Sequence, residues 1–200
     1  MSSVGVRPCG DRALMLELAD NAAAVRVAAR LREERPDLVD VVPGHRSVLV
    51  TWAGARAPTG LDELAGEAVA DTRVPEGREV ELAVTYDGPD LDEVAGLTGL
   101  SPEEVVARHR AAEYVAGFLG FAPGFAYLFG LDERLVVPRR SEPRTRVPGG
   151  TVAIAGPYSG VYPRESPGGW RLVGRTDAVL FDAGRDRPAL LVAGDRVRFR

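Results

Sequence analysis

At 200 residues the chain suits one large domain or two small ones, since domains commonly run about 100 to 150 residues. Its 45% apolar and 27% charged residues are those of a soluble globular protein, and a formal charge of -4 argues against a nucleic-acid partner. No apolar run reaches the roughly 18 residues that a membrane span needs, no charged-then-apolar leader is written in Met1-Ser-Ser-Val-Gly-Val, and the single Cys9 with two histidines provides neither a disulfide nor a zinc site. The expectation is a cytoplasmic protein with no membrane contact and no metal. All 25 basic residues are arginine, which excludes chemistry that requires a lysine, such as a Walker-type phosphate loop, a Schiff base or a biotinyl attachment.

Strands are predicted at Val4 to Arg7 and Ala13 to Leu18, on either side of the turn Cys9-Gly-Asp11. Asn21 is positioned to cap a helix over Ala22 to Glu34 that must end before Pro36. A hairpin follows, Val39 to Val42 and Ser47 to Trp52, around a polar turn that holds His45. A helix near Leu61 to Asp71 and a strand at Glu79 to Thr85 complete a small α+β sandwich. Turn-forming residues at Asp87-Gly-Pro-Asp90 place a domain boundary there, giving residues 1–88 and 89–200.

Beyond it, Leu91 to Leu97 reads as a short helix, and Ser101-Pro-Glu-Glu104 announces another with an N-cap Ser, a first-turn Pro and a capping-box Glu. Val105, His109 and Ala112 share a face of that helix, so the His109 ring turns inward. Two readings fit it: a core histidine satisfied by a backbone carbonyl, or a proton acceptor or donor at a pocket edge. From Tyr114 onward strands and turns dominate, with predicted strands at Thr151 to Ala155, Trp170 to Val173, Val179 to Phe181, Ala189 to Val192 and Arg196 to Arg200. Their spacing suggests a barrel or sandwich.

Four of the six phenylalanines fall between Phe118 and Phe129, around the turn Ala122-Pro123-Gly124. Either these are two ordinary core strands, or the turn rims an aromatic-walled pocket. The segment Pro138-Arg-Arg-Ser-Glu-Pro-Arg-Thr-Arg146 carries four guanidinium groups that suit a solvated loop, a subunit contact or bidentate capture of a carboxylate or phosphate. Carboxylate pairs such as Glu103-Glu104 sit at helix starts and read as dipole partners. No Gly-x-Ser-x-Gly elbow is present, so a serine hydrolase is not expected.

Phe118-Leu-Gly-Phe-Ala-Pro-Gly-Phe-Ala-Tyr-Leu128, Pro138-Arg-Arg140, Glu142-Pro-Arg144, Gly160-Val-Tyr-Pro163 and Pro167-Gly-Gly-Trp170, with Gly10-Asp-Arg-Ala13 near the front, resemble the signature of the family of B-type 5-oxoprolinase subunits. That family is also called allophanate hydrolase subunit 1, and it includes Kip-type inhibitors of a sensor histidine kinase. The resemblance implies an α+β chain with an N-terminal α/β sandwich followed by a cyclophilin-like β-barrel. It also implies a subunit that is inactive alone and helps open 5-oxo-L-proline to L-glutamate. Its implied companions are a C-type (Kip-antagonist-like) subunit and an A-type lactam-utilisation subunit, with ATP used by the complex and no cofactor on this chain. Alternatives within the resemblance are the Kip-type kinase inhibitor and half of a urea- or allophanate-type amide carboxyltransferase or hydrolase. Carried over by position, His109 and Arg144 are the catalytic candidates, and Phe121, Phe125, Arg139 and Trp170 the substrate-binding ones. One departure stands out: Ala155-Gly-Pro-Tyr158 occupies the place where many relatives have Gly-Gly-Pro-Gln.

Overall fold

Apolar residues two apart in Ser47–Trp52 and a run of alanines in Asn21–Glu34 organise the first of two units, Met1–Glu76 and Gly77–Arg200, into which the chain divides. The computed structural model describes residues 4–71 and 77–200. In the first unit, strands β1 (Gly5–Pro8), β2 (Ala13–Glu17), β3 (Leu38–Pro43) and β4 (Ser47–Trp52) form an antiparallel sheet in the order β1-β2-β4-β3. Helices α1 (Asn21–Glu34) and α2 (Leu61–Ala70) pack with it, burying Ala24, Val27, Ala28, Leu31, Leu61 and Ala65 against Leu16, Val48 and Val50. The alanines leave no bulk between elements, so backbones approach closely. The cap of α1 is Asp20, one residue before the expected Asn21: Asp20 Oδ1 accepts from the Ala23 N–H at 2.8 Å. Asn21 is instead buried and donates from Nδ2 to the Gly44 carbonyl at 3.0 Å, tying the helix start to the β3–β4 turn.

The second unit contains β5 (Glu79–Leu82), α3 (Leu91–Thr98), α4 (Pro102–Ala111), β6 (Tyr114–Leu119), β7 (Ala126–Phe129), a 3-10 turn at Glu133–Leu135, β8 (Arg144–Val147), β9 (Thr151–Ala155), β10 (Tyr158–Val161), β11 (Ser166–Gly168), β12 (Arg171–Arg175) and β13 (Arg196–Phe199). Seven of these strands make one sheet in the order β12-β9-β10-β7-β6-β13-β5, and β8 pairs separately with β11. The sheet curls until its edges meet: Thr85, just past β5, exchanges two backbone hydrogen bonds of 2.9 Å with Arg175 at the end of β12. Val152, Ile154, Leu128, Val161, Val173 and Phe199 fill the concave side, with Val94 and Val105 from α3 and α4.

The division falls at 76/77, not at 88/89. β5 runs parallel to β13, with Val80 opposite Val197, so residues 77–88 are committed to the second unit by pairing with the far end of the chain. The turn residues at 87–90 mark the entry to α3 instead. The capping box of α4 forms as read: Ser101 Oγ accepts from the Glu104 N–H at 3.2 Å, and Glu104 Oε2 accepts from the Ser101 N–H at 2.8 Å. Val179 to Phe181 and Ala189 to Val192 do not become strands; they meet only through the isolated bridge between Phe181 and Ala189. No helix among the described residues is long and apolar enough to cross a membrane.

Candidate functional site

Strand alternation sorts the residues of the curled sheet onto two sides. On β9, Val152 and Ile154 point into the main core while Ala153 and Ala155 join a second cluster on the outer side with Phe125, Tyr162, Trp170 and Leu172. On β10, Tyr158 lies on that outer side and Val161 on the inner one. β6 would have placed Phe118 inward with Ala116. An irregularity between Ala116 and Phe118, where Ala116 pairs with Leu128 and Phe118 with Tyr127, inserts Gly117 and re-aims the phenyl ring outward.

The result is a continuous aromatic face. Tyr127 stacks on Phe118 with centroids 4.3 Å apart and meets Phe125, Tyr158 and Trp170 edge-on at 5.1, 5.6 and 5.6 Å. Phe125 also contacts Phe121, Tyr162 and Trp170 at 5.4, 5.5 and 5.4 Å. Gly160 makes room for these rings: a Cβ there would stand 3.1 Å from Phe125 Cζ and 3.2 Å from Trp170.

Phe121 is the rim of this face. The residue is 58% exposed and its φ is +68°, a left-handed backbone that costs a bulky residue about 1–3 kcal/mol. It sits at the centre of a three-residue turn closed by the Ala122 N–H donating to the Gly120 carbonyl at 2.8 Å. A Pro123-Gly124 turn follows at once, closed by the Phe125 N–H donating to the Ala122 carbonyl at 3.0 Å. Gly124 has φ +83° and packs so tightly that a Cβ would lie 2.8 Å from the Leu180 carbonyl oxygen. Two successive turns therefore force the Phe121 ring out into solvent. Replacing Phe121 with glycine releases the strained φ but gives up the ring contacts with Phe125 and Tyr162 and adds unfolded-state entropy, so stability is expected to change by less than about 1 kcal/mol. Urea denaturation checks this, and a loss above about 2 kcal/mol would show that the backbone there carries no strain.

The candidate residues separate accordingly. Phe121, Phe125 and Trp170 come together on the outer face. Arg139 is exposed, without an ion-pair partner among the described residues, and near enough to act on Tyr162, whose hydroxyl is held above its ordinary range chiefly by burial. Arg144, a catalytic candidate by resemblance, is engaged within the fold. Its guanidinium grips the buried Asp90 with both arms, at 2.9 and 2.6 Å, while Arg140 reaches the same carboxylate at 3.3 Å and Glu93 at 3.2 Å. Arg146 pairs with Glu165 at 2.6 Å, so the four arginines of this segment do not form a free cationic cluster.

His109 lies on the opposite side of the sheet and is 1% exposed. Its Nδ1 is 2.8 Å from the Tyr86 hydroxyl and its Nε2 is 2.9 Å from Ser159 Oγ, while its ring stacks on Phe199 at 4.7 Å. Ser159 in turn donates to the Ala153 carbonyl at 3.4 Å. A consistent chain of donors runs from Tyr86 O–H to Nδ1 and from Nε2–H to Ser159, which keeps the imidazole neutral. Burial pushes its pKa down to about 3 and lifts those of the Tyr86 and Tyr114 phenols above their ordinary value. The ring is buried in the core, as one of the two sequence readings has it, but its partners are the hydroxyls of Tyr86 and Ser159 and not a backbone carbonyl. Behind the aromatic face it anchors β10, because Ser159 lies between Tyr158 and Gly160.

Sequence reasoning missed Tyr127, Tyr158 and Tyr162 as members of the face. The alternation of Ala126-Tyr-Leu-Phe129 was a usable signal for Tyr127, but Phe118 was not placeable without the bulge. No group of three or more His, Cys, Asp or Glu able to hold a metal occurs among the described residues.

The family model described as the carboxyltransferase domain, subdomain C and D, matches residues 4–191. The chain is 44% identical over 205 residues to the B-type 5-oxoprolinase subunit of Escherichia coli O157:H7, covering 95% of this chain and 92% of that one. It is 38% identical over 219 residues to the B-type 5-oxoprolinase subunit of Bacillus subtilis strain 168, covering 97% and 91%. Among solved structures it resembles TTHA0988 with a TM-score of 0.81 and 38% identity over 94% of this chain, which spans only 39% of that longer chain.

Proposed function

This chain belongs to the family of B-type 5-oxoprolinase subunits, and from that premise we propose that it is one part of an ATP-dependent assembly that opens 5-oxo-L-proline to L-glutamate. The observation that carries the reading is the 44% identity over nearly the whole chain to a 5-oxoprolinase subunit. In the reaction, water adds across the ring C–N bond: its oxygen joins the carbonyl carbon and the nitrogen leaves as the free amine. Amide resonance opposes attack on that carbon, and ATP hydrolysis by a companion subunit supplies the drive. A chain without lysine fits a share of the work that leaves nucleotide phosphates to others.

In this reading the companions are a C-type and an A-type subunit, the complex is cytoplasmic, and the curled seven-stranded sheet is the cyclophilin-like barrel, its edges meeting at Thr85 and Arg175. The aromatic face is the surface on which the small ring lies, bounded by Phe121, Phe125 and Trp170, with Arg139 as the cation for its carboxylate. His109 supports that surface from behind through Ser159, and Arg144 is bound to Asp90.

Reconstitution tests the proposal. The purified chain alone is expected to release no glutamate from 5-oxo-L-proline, and adding the two companion subunits with ATP is expected to start release. Activity of the isolated chain, or none in the full mixture, defeats it. The matching family description and a urea amidolyase relative favour one second reading, transfer of a carboxyl group from a carboxylated biotin to a urea-type amide, and a mixture supplied with a biotin carboxylase, its biotinyl carrier, ATP, bicarbonate and urea separates the two. Within the active mixture, Phe121→Ala is expected to raise KM several-fold, the loss of about 1 kcal/mol that separates a residue contributing to binding from near-neutral neighbours.

A further inference from the structure

At the middle of the aromatic face lies a polar atom to which the proposed reaction gives no part. Tyr127 touches four other rings, those of Phe118, Phe125, Tyr158 and Trp170, more than a residue at the margin would meet. Its side chain is half-buried, and its hydroxyl has no hydrogen-bond partner among the described residues. Nor is that hydroxyl sealed: it is not one of the buried side-chain atoms without a hydrogen bond among the described residues, such as Trp52 Nε1 and Ser166 Oγ. Phenols on partly buried faces ordinarily find a partner, and one that reaches solvent from among rings is placed to meet a ligand. The hydroxyl also lies close enough to those of Tyr158 and Tyr162 to act on both electrostatically.

We infer that the Tyr127 hydroxyl is the donor that meets the neutral carbonyl oxygen of a small ring bound on this face, and so a specificity-determining residue. The inference rests on the reading of the aromatic face as the substrate surface and names the group on it that tells a lactam from a saturated ring. Rings alone accept any flat or apolar ligand, whereas a donor among them selects for an acceptor at one position. Stacking on Phe118 fixes where the hydroxyl points.

The experiment uses the reconstituted complex with 5-oxo-L-proline as probe. Tyr127→Phe keeps the ring contacts and removes only the oxygen. It is expected to raise KM about 3- to 10-fold, the range of one hydrogen bond, with kcat within about twofold and the melting temperature of the chain unchanged. An unchanged KM, or a fall in kcat accompanied by a lower melting temperature, overturns the inference. Phe121→Ala in the same complex keeps the two failures apart. If both variants leave KM unmoved, the face is not the substrate surface and the inference falls with it. If Phe121→Ala raises KM and Tyr127→Phe does not, the face stands and the hydroxyl has no such role.

Discussion

Replacing Asp90 with alanine is expected to destabilise the second unit by about 3–5 kcal/mol, the usual cost of removing one partner from a buried ion pair. Asp90 is 2% exposed and accepts four hydrogen bonds: two from Arg144, one from Arg140 and one from the Leu172 N–H at 2.7 Å. Its own N–H donates to the Leu172 carbonyl at 3.0 Å, so this one residue clamps the start of α3 onto β12 from both sides. Alanine would leave an N–H of β12 unsatisfied and two guanidinium groups without their shared anion. Glu93, which also pairs with Arg171, would retain only part of that charge. Combining Asp90→Ala with Arg144→Ala is expected to cost less than the sum of the single changes, by about 1–3 kcal/mol, because the second change removes a cation already orphaned. Guanidinium denaturation of the three variants measures this coupling. A single-variant loss below about 1 kcal/mol would mean that the network behaves as a solvated surface cluster.

Replacing His109 with alanine is expected to cost about 3–5 kcal/mol, through a cavity beside Phe199 and Tyr114 and through the lost partners of Tyr86 and Ser159. Its pH signature is more specific than its size. The folded-state pKa, about 3, lies below the ordinary value of 6.5, so between those values the unfolded chain binds the proton that the folded one refuses. The stability His109 contributes is therefore complete above pH 6.5 and is lost as pH falls toward 3, at up to about 1.4 kcal/mol per pH unit. A His109→Gln variant, which keeps hydrogen-bonding capacity without titrating in that window, is expected to show a shallower acid slope than the parent between pH 6.5 and 4. Parallel slopes in the two proteins would show that the ring takes up a proton without cost in the fold. Because Ser159 stands between Tyr158 and Gly160, loosening His109 is also expected to disturb the aromatic face from behind.

Several features were legible because their cause is local. Ser101, Pro102 and Glu104 cap α4 through contacts within one turn, and Pro123-Gly124 closes a turn that needs only its own residues. The inward direction of His109 followed from helical spacing, but its partners did not: Tyr86 and Ser159 lie 23 and 50 residues away. The arginines show the same limit. Four of them in nine residues look like an anion trap, yet Asp90, about fifty residues earlier, holds two of them.

By itself the sequence determined the α+β class, most element positions, the family resemblance and the exclusion of chemistry that needs a lysine, since these depend on composition, local periodicity and short-range turns. Tertiary structure alone decided that residues 77–88 join the second unit, because β5 finds its partner in β13 more than a hundred residues later. It also decided which rings share the outer face. One extra residue at Gly117 reverses the side to which Phe118 points, and strand alternation cannot announce a bulge whose position is set by pairing with β7.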